Sequence, residues 1–345
     1  MHTEDVRRMP TPVSYAVLLA ILLVAAVLAL SSGAYPVAIE DLLKMMAGIT
    51  PNDPTAELVL WDIRMPRLLL GLLTGAVLAV SGALLQGLFR NPLADPGLIG
   101  VSSGAALAAV AVIVLGGSGL ASWTALAGRW SLPLAAFIGG SVTTLLAWRI
   151  ASRQGQTSVA LLLLAGIAIN AIAGAGTGLL TFYADDNALR SLTFWTMGSL
   201  AHARWEDLWL AGPWMLITLI IAPLLARPLD AFLLGEPVAG HMGYSTAWVK
   251  RGAIALAALG VGAAVAVTGL IGFVGLVIPH LLRQIFGAGH RLLLPACALG
   301  GGALLVLADC LARVVVAPAE LPIGLMMALL GGPFFLMLLM RNRFA

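Results

Sequence analysis

Nine long stretches of this chain contain no Asp, Glu, Lys or Arg, and they decide what it can fold into. They are 9–39, 68–89, 96–128, 130–148, 154–184, 208–226, 252–282, 292–308 and 321–340. Such runs leave the backbone little polar company, and in hydrocarbon only a helix or a closed barrel satisfies every N–H and C=O. Only 10% of the residues are charged and 60% are hydrophobic, with a mean hydropathy of +1.00; a soluble domain carries about 25% charged residues. Each crossing helix needs about 20 apolar residues. The expectation is an all-α polytopic membrane protein, one transmembrane domain over 1–345. This excludes a soluble enzyme, a nucleic-acid module and a secreted disulfide scaffold. A net charge of +3 on so apolar a chain does not call for a polyanionic partner. Cys297 and Cys310, in one apolar stretch without metal-ligand spacing, read as buried small hydrophobes.

The run 252–282 has 31 residues, about 46 Å as a single helix, too long for a core of about 30 Å. It carries Gly269, Gly272, Gly275 and Pro279, which predicts a break near Gly269 and a short helix after it. That makes ten spans. A cleaved leader over Thr11–Ala34 is the rival for the first, with Arg7 and Arg8 ahead of it. Its apolar run Val13–Leu30 has 18 residues, longer than an h-region of about 7–15, so it is read as a span. Five plus five spans would form inverted repeats; Gly75…Gly82…Arg90 against Gly262…Gly269…Arg283 is the one correspondence.

With the N-terminus inside, the inner loops hold 12 of 19 basic residues and 5 of 16 acids. The outer side has 7 basic and 11 acidic residues. This obeys the positive-inside rule and places both termini in the cytoplasm. Outside lie Tyr35–Arg67, with the Pro51-Asn52-Asp53-Pro54 run, and Asp185–Asp207, an interfacial helix with Phe194, Trp195 and Trp205. Inside lies 227–251, interrupted by Pro228 and Pro237.

The spans lack an energy source. Ion-coupled transport needs an ionisable group at membrane depth; the nearest are Asp309 and Arg313, which can satisfy each other at i, i+4. Neither Lys44 nor Lys250 follows a glycine as a Walker lysine must, no HExxH occurs, and the five histidines share no ligand spacing. Gly100-Val-Ser-Ser-Gly104 is a loose GxSxG inside an apolar helix, a poor nucleophile elbow. Glycines such as Gly71, Gly75, Gly166, Gly174, Gly176 and Gly178 read as close helix packing, or as small residues lining a wide path.

Several segments carry a resemblance. Arg64-Met-Pro-Arg67, Gly71, Gly75, Gly82, Gln86 and Arg90-Asn-Pro-Leu-Ala-Asp-Pro96 form the first. Gly272-Phe-Val-Gly-Leu-Val-Ile-Pro-His280-Leu-Leu-Arg283, His290-Arg291, Asp309…Arg313 and Glu320-Leu-Pro-Ile-Gly324 follow in order. Together, from about Trp61 to Met340, they resemble the FecCD family, permease subunits of bacterial ABC importers for iron-siderophores, haem and vitamin B12. The resemblance implies the type II importer permease fold in the inner membrane. It implies a homodimer with two ATPase subunits below and a periplasmic binding protein above. The chain would bind no cofactor or metal itself; ATP and Mg belong to the ATPase, and no nucleic acid is involved.

Residue roles come with the resemblance. Arg64 and Arg313, helped by Arg67, would dock the binding protein. Asn91 and Leu93 after span two, with Thr157 and Ser158 before span five, would form the cytoplasmic gate. Within the coupling segment 227–251, Leu234, Gly235, Glu236, Ala239, Gly240, Met242 and Gly243 would meet the ATPase as a helix-turn-helix. A solvated loop there would expose Phe232, Leu233, Leu234 and Met242 to water. The stretch Gln86–Ala106 looks most like the haem branch, with siderophore or cobalamin as alternatives. His202 and Tyr183, near the outer mouth, are the available axial-ligand types, and both read as interfacial residues. From other classes, an ion-coupled secondary transporter and an intramembrane enzyme acting through Ser102 stay open.

Overall fold

The computed structural model describes residues 10–341 apart from 34, 36, 48, 50–53, 154, 155 and 318. Arg7, Arg8, Arg343 and the Pro51-Asn52-Asp53 run lie outside the described residues. Among the described residues the longer apolar helices are α1 Thr11–Ser31, α2 Met65–Phe89, α3 Val101–Leu115, α4 Ser131–Ala151 and α5 Val159–Phe182, then α6 Trp205–Ile221, α7 Thr246–Thr268, α8 Val274–Phe286, α9 His290–Val314 and α10 Ile323–Arg341. Seven of them, some with the short helical segments beside them, are long and apolar enough to cross a bilayer; α3 and α8, with 15 and 13 residues, are shorter.

The arrangement follows from which helices are apolar all round. α2 is apolar nearly all round and buried along almost its whole length, including its few polar residues Arg67, Thr74, Ser81 and Gln86, as a helix without a solvent-facing polar side must be. It packs against α9, α7, α8 and α6, while α3 packs on α4 and α5, and α1 on α9. Small residues set the approach. A Cβ at Gly75 would fall within 3.0 Å of Gly301, one at Gly82 within 3.0 Å of Gly275, and one at Gly104 within 3.0 Å of Gly139. Both cysteines are free and buried.

The predicted break falls where expected. α7 ends at Gly269, whose φ of 70° a side chain would resist, and α8 starts at Val274. The repeat correspondence does not hold at these positions: Gly82 lies mid-helix in α2, whereas Gly269 caps α7. The interfacial helix is Asp186–Met197, capped by Asp185 accepting from the Ala188 N–H at 2.8 Å. Trp205 belongs to α6 instead, donating its indole N–H to the Trp61 carbonyl at 2.9 Å.

Candidate functional site

Two polar assemblies sit at opposite ends of the bundle. The first begins where α2 stops. Arg90 adopts a left-handed conformation at φ 50°, a common helix ending, and Asn91 Oδ1 accepts from the Leu93 N–H at 2.9 Å. Asp95 then caps the short helix Pro96–Ile99 by accepting from the Gly97 N–H at 2.7 Å. Desolvation raises the Asp95 carboxyl above its ordinary pKa, against the pull of that N–H. From α5, Asn170 donates to the Gly97 carbonyl at 3.2 Å and accepts from Ser103 at 2.5 Å. The α2–α3 loop is thereby tied to α5.

Between α4 and α5 the chain makes a hairpin, Ser152 opposite Thr157 and Arg153 opposite Gln156. Ser158 caps α5, accepting from the Leu161 N–H at 3.4 Å. Asn91 and Leu93 are exposed and Thr157 is buried. No hydrogen bond joins these two expected gate pairs among the described residues.

Thr157 is instead joined to the coupling segment. The Lys250 ammonium, buried in the first turns of α7, donates to the Thr157 carbonyl at 2.7 Å and pairs with Glu236. Glu236 opens the short helix Glu236–His241, which follows helix Ala226–Leu233 after the turn Leu234-Gly235. The φ of Gly235, 116°, explains the glycine. The expected helix-turn-helix is therefore present, with changes of detail. Phe232 is core and Ala239 is buried, so these two do not offer a free surface; Glu236 pairs with Lys250 and keeps about a third of its side chain exposed. The exposed apolar face is Leu233, Leu234 (67% exposed), Val238 (40%) and Met242 (56%), beside the exposed Gly240 and Gly243.

Nothing in the sequence pattern marked Lys250 as more than a basic loop residue. His290 stood among the segments that carry the resemblance, but nothing in the pattern linked it to Asp230. Asp230 Oδ1 accepts from the His290 backbone N–H at 2.6 Å and lies 2.8 Å from its Nδ1. This pins the coupling helix to the start of α9.

The second assembly lies at the other end. Arg67 of α2 donates from Nε and Nη2 to the Asp309 carboxylate of α9, both at 2.9 Å, and from Nη1 to Glu320 at 2.9 Å. Arg313 Nε lies 3.3 Å from the same Asp309, and Arg313 Nη1 donates to the Ser32 carbonyl at 3.1 Å. Arg64 donates to the carbonyls of Leu30 and Tyr35, not to Asp62. The side chains of Arg67 and Arg313 are 9% and 7% exposed and Arg64 is buried, so none of the expected docking arginines presents a free guanidinium at the rim. Glu320, at 38%, is the accessible member of the group. His202 lines a surface pocket with Arg129, Arg204 and Glu206, and Tyr183 packs edge-on to Phe182 at 5.3 Å. No hydrogen bond links His202 to Tyr183 among the described residues.

A transport body is what these features fit: helices, buried ion pairs that tie them at one end, and an exposed apolar face at the other. The comparisons agree. The hemin transport system permease protein HmuU of Yersinia pestis is 50% identical over 282 residues, covering 82% of this chain and 83% of that protein. The vitamin B12 import system permease protein BtuC of Escherichia coli is 42% identical over 308 residues, covering 88% of this chain and 91% of that one. The solved structure of an inward-facing metal-chelate type ABC transporter superposes with a TM-score of 0.83 at 33% identity, covering 96% of this chain and 99% of that one. These relatives are transport components rather than enzymes. The model of the FecCD transport family matches residues 21–341, and the chain belongs to that family.

Proposed function

We propose that this chain is the membrane permease subunit of a bacterial ABC importer for haem. It works as a homodimer in the inner membrane, with two ATPase subunits at the Lys250 end and a periplasmic binding protein at the Arg67 end. The observation that carries the cargo is the 50% identity with a hemin permease, against 42% with the vitamin B12 permease. The basic excess of the loops at the Lys250 end supports a cytoplasmic position for it and for both termini.

In this reading the ATPase grips Leu233, Leu234, Val238 and Met242. Movement of helix Glu236–His241 reaches the hairpin before α5 through Glu236, Lys250 and the Thr157 carbonyl. At the far end, carboxylates of the binding protein would replace Glu320 on Arg67, with Arg64 and Arg313 holding the frame behind it.

The cargo is tested by ATPase activity in vesicles with the partner ATPase and binding protein. Haem-loaded binding protein is expected to stimulate hydrolysis, and protein loaded with a ferric chelate or cobalamin is not. Stimulation by a chelate alone would overturn haem. A second measurement tests the link. Hydrogen bonds to a charged group contribute about 1.5–3 kcal/mol, so Lys250→Met is expected to lower haem uptake about tenfold or more. ATPase binding should persist, because the exposed apolar face is untouched. Unchanged uptake would remove Lys250 from the path.

A further inference from the structure

The start of α9 meets two other elements at one side chain. Gly289 precedes the helix and offers no side chain to cap it. The His290 backbone N–H donates instead to Asp230, from helix Ala226–Leu233, and the same Oδ1 lies 2.8 Å from His290 Nδ1. A carboxylate can only accept, so Nδ1 carries the hydrogen and Nε2 is bare. His290 is 0% exposed, and its Nε2 has no hydrogen-bond partner among the described residues. A buried polar atom left unpaired is costly, and an apolar side chain would fill the space without that cost. What histidine adds is the tie to Asp230.

The bare edge of the ring faces α2. A Cβ at Gly87 would fall within 3.0 Å of Nε2 and Cε1, so ring and helix backbone touch with nothing between them. Helix Ala226–Leu233 packs on both α2 and α9, and His290 fills the junction of the three. Gly87 belongs to the last turn of α2. Its carbonyl accepts from the Arg90 N–H at 3.3 Å, and the Gln86 carbonyl accepts from the Asn91 N–H at 3.1 Å. Asn91 in turn holds the Leu93 N–H. Close-packed interiors transmit displacement instead of absorbing it. Movement of Asp230 therefore shifts the ring, the ring shifts Gly87, and Gly87 carries Asn91 and Leu93 with it.

We propose that His290 is a positioning residue for transport, linking helix Ala226–Leu233 to the last turn of α2 and so to Asn91 and Leu93. The inference rests on the reading of 227–251 as the segment an ATPase moves, and it gives that segment a second arm. Glu236, on the second helix of the segment, reaches the Thr157 carbonyl through Lys250. Asp230, on the first helix, reaches Asn91 through His290 and Gly87. The two expected gate pairs share no hydrogen bond with each other, yet both answer to one segment.

The test uses the full chain with its ATPase subunits in vesicles and reads maleimide labelling of one reporter cysteine at a time, with and without ATP. Pro92→Cys reports the α2 arm and Gln156→Cys the hairpin arm; both positions are exposed, and the native cysteines are buried. ATP should change the labelling rate of both reporters. His290→Asn keeps a side-chain donor for Asp230 and removes the ring edge against Gly87. It should abolish the response of Pro92→Cys and keep that of Gln156→Cys. Uptake should fall about tenfold, within the ~5–150-fold range of couplings between sites. Asp230→Leu, at a partly exposed residue, cuts the same arm from the other side and should act alike. Asp230→Asn keeps Oδ1 as an acceptor and should retain both response and uptake. A Pro92→Cys response that survives His290→Asn and Asp230→Leu would overturn the proposal. So would loss of both responses in these variants, which marks general structural damage. Silence of both reporters in the otherwise unaltered chain would overturn the coupling reading itself, and this proposal with it.

Discussion

Arg67→Met is expected to destabilise the folded protein by about 3–5 kcal/mol, the range for removing one partner of a buried ion pair. Asp309 is buried and would keep only Arg313, whose Nε lies 3.3 Å away without the paired geometry that Arg67 provides. Glu320 would lose its partner as well, but it is partly exposed and water can take over. The cost therefore falls on Asp309. It should appear as a lowered midpoint of thermal unfolding and a smaller yield of folded protein in bilayer discs. Arg67→Met combined with Asp309→Leu should recover much of the loss, because an apolar pair of similar volume often matches a buried ion pair. A single variant that melts with the unaltered protein would show that the network carries little of the stability. The same experiment separates the two views of these arginines. Residues kept only for docking would change binding-protein association and leave the melting midpoint alone.

The spans were legible because the physics behind them is one-dimensional. A charge-free run longer than the bilayer must cross it or break, and the break at Gly269 could be placed since glycine and proline cluster there. The ends of the bundle were less legible, because their chemistry depends on residues distant in sequence. Arg67 and Asp309 stand 242 positions apart, and Lys250 and Thr157 stand 93 apart. Pairing at i, i+4 was the local inference for Asp309, and it found Arg313 but missed the stronger partner. Phe232 and Ala239 show the same limit in the coupling segment. The pattern predicted an apolar helix-turn-helix, and only packing decides which of its side chains turn inward. Lys250 was read as topological charge, since a basic residue beside a span fits the positive-inside rule whatever its side chain touches. Its burial, together with the hairpin it holds, is a tertiary fact.

Glycine gives the second large effect, because the two sequence readings of it make opposite predictions at different positions. Gly82→Ala and Gly301→Ala are expected to destabilise the protein by about 1–3 kcal/mol or more, the cost of overpacking. A Cβ at Gly82 would fall within 3.0 Å of backbone atoms of Gly275, and one at Gly301 within 3.0 Å of Gly75. Backbone cannot turn aside as a side chain can, so the helices must part. Gly174 and Gly178 of α5 behave differently: a Cβ there meets nothing within 4 Å in this chain. Their replacement by alanine should leave the melting midpoint unchanged or raise it, because alanine is the better helix former by up to about 1 kcal/mol. Close packing inside the chain thus accounts for Gly82 and Gly301 and leaves Gly174 and Gly178 without a reason to be small. In the proposed homodimer, space needed beyond this chain, for cargo or for the second copy, would supply that reason. Gly174→Leu and Gly178→Leu should therefore fold normally and lose uptake about tenfold or more, an activation cost of about 1.4 kcal/mol. Unchanged uptake in the leucine variants would show that the open face of α5 serves neither the path nor the dimer.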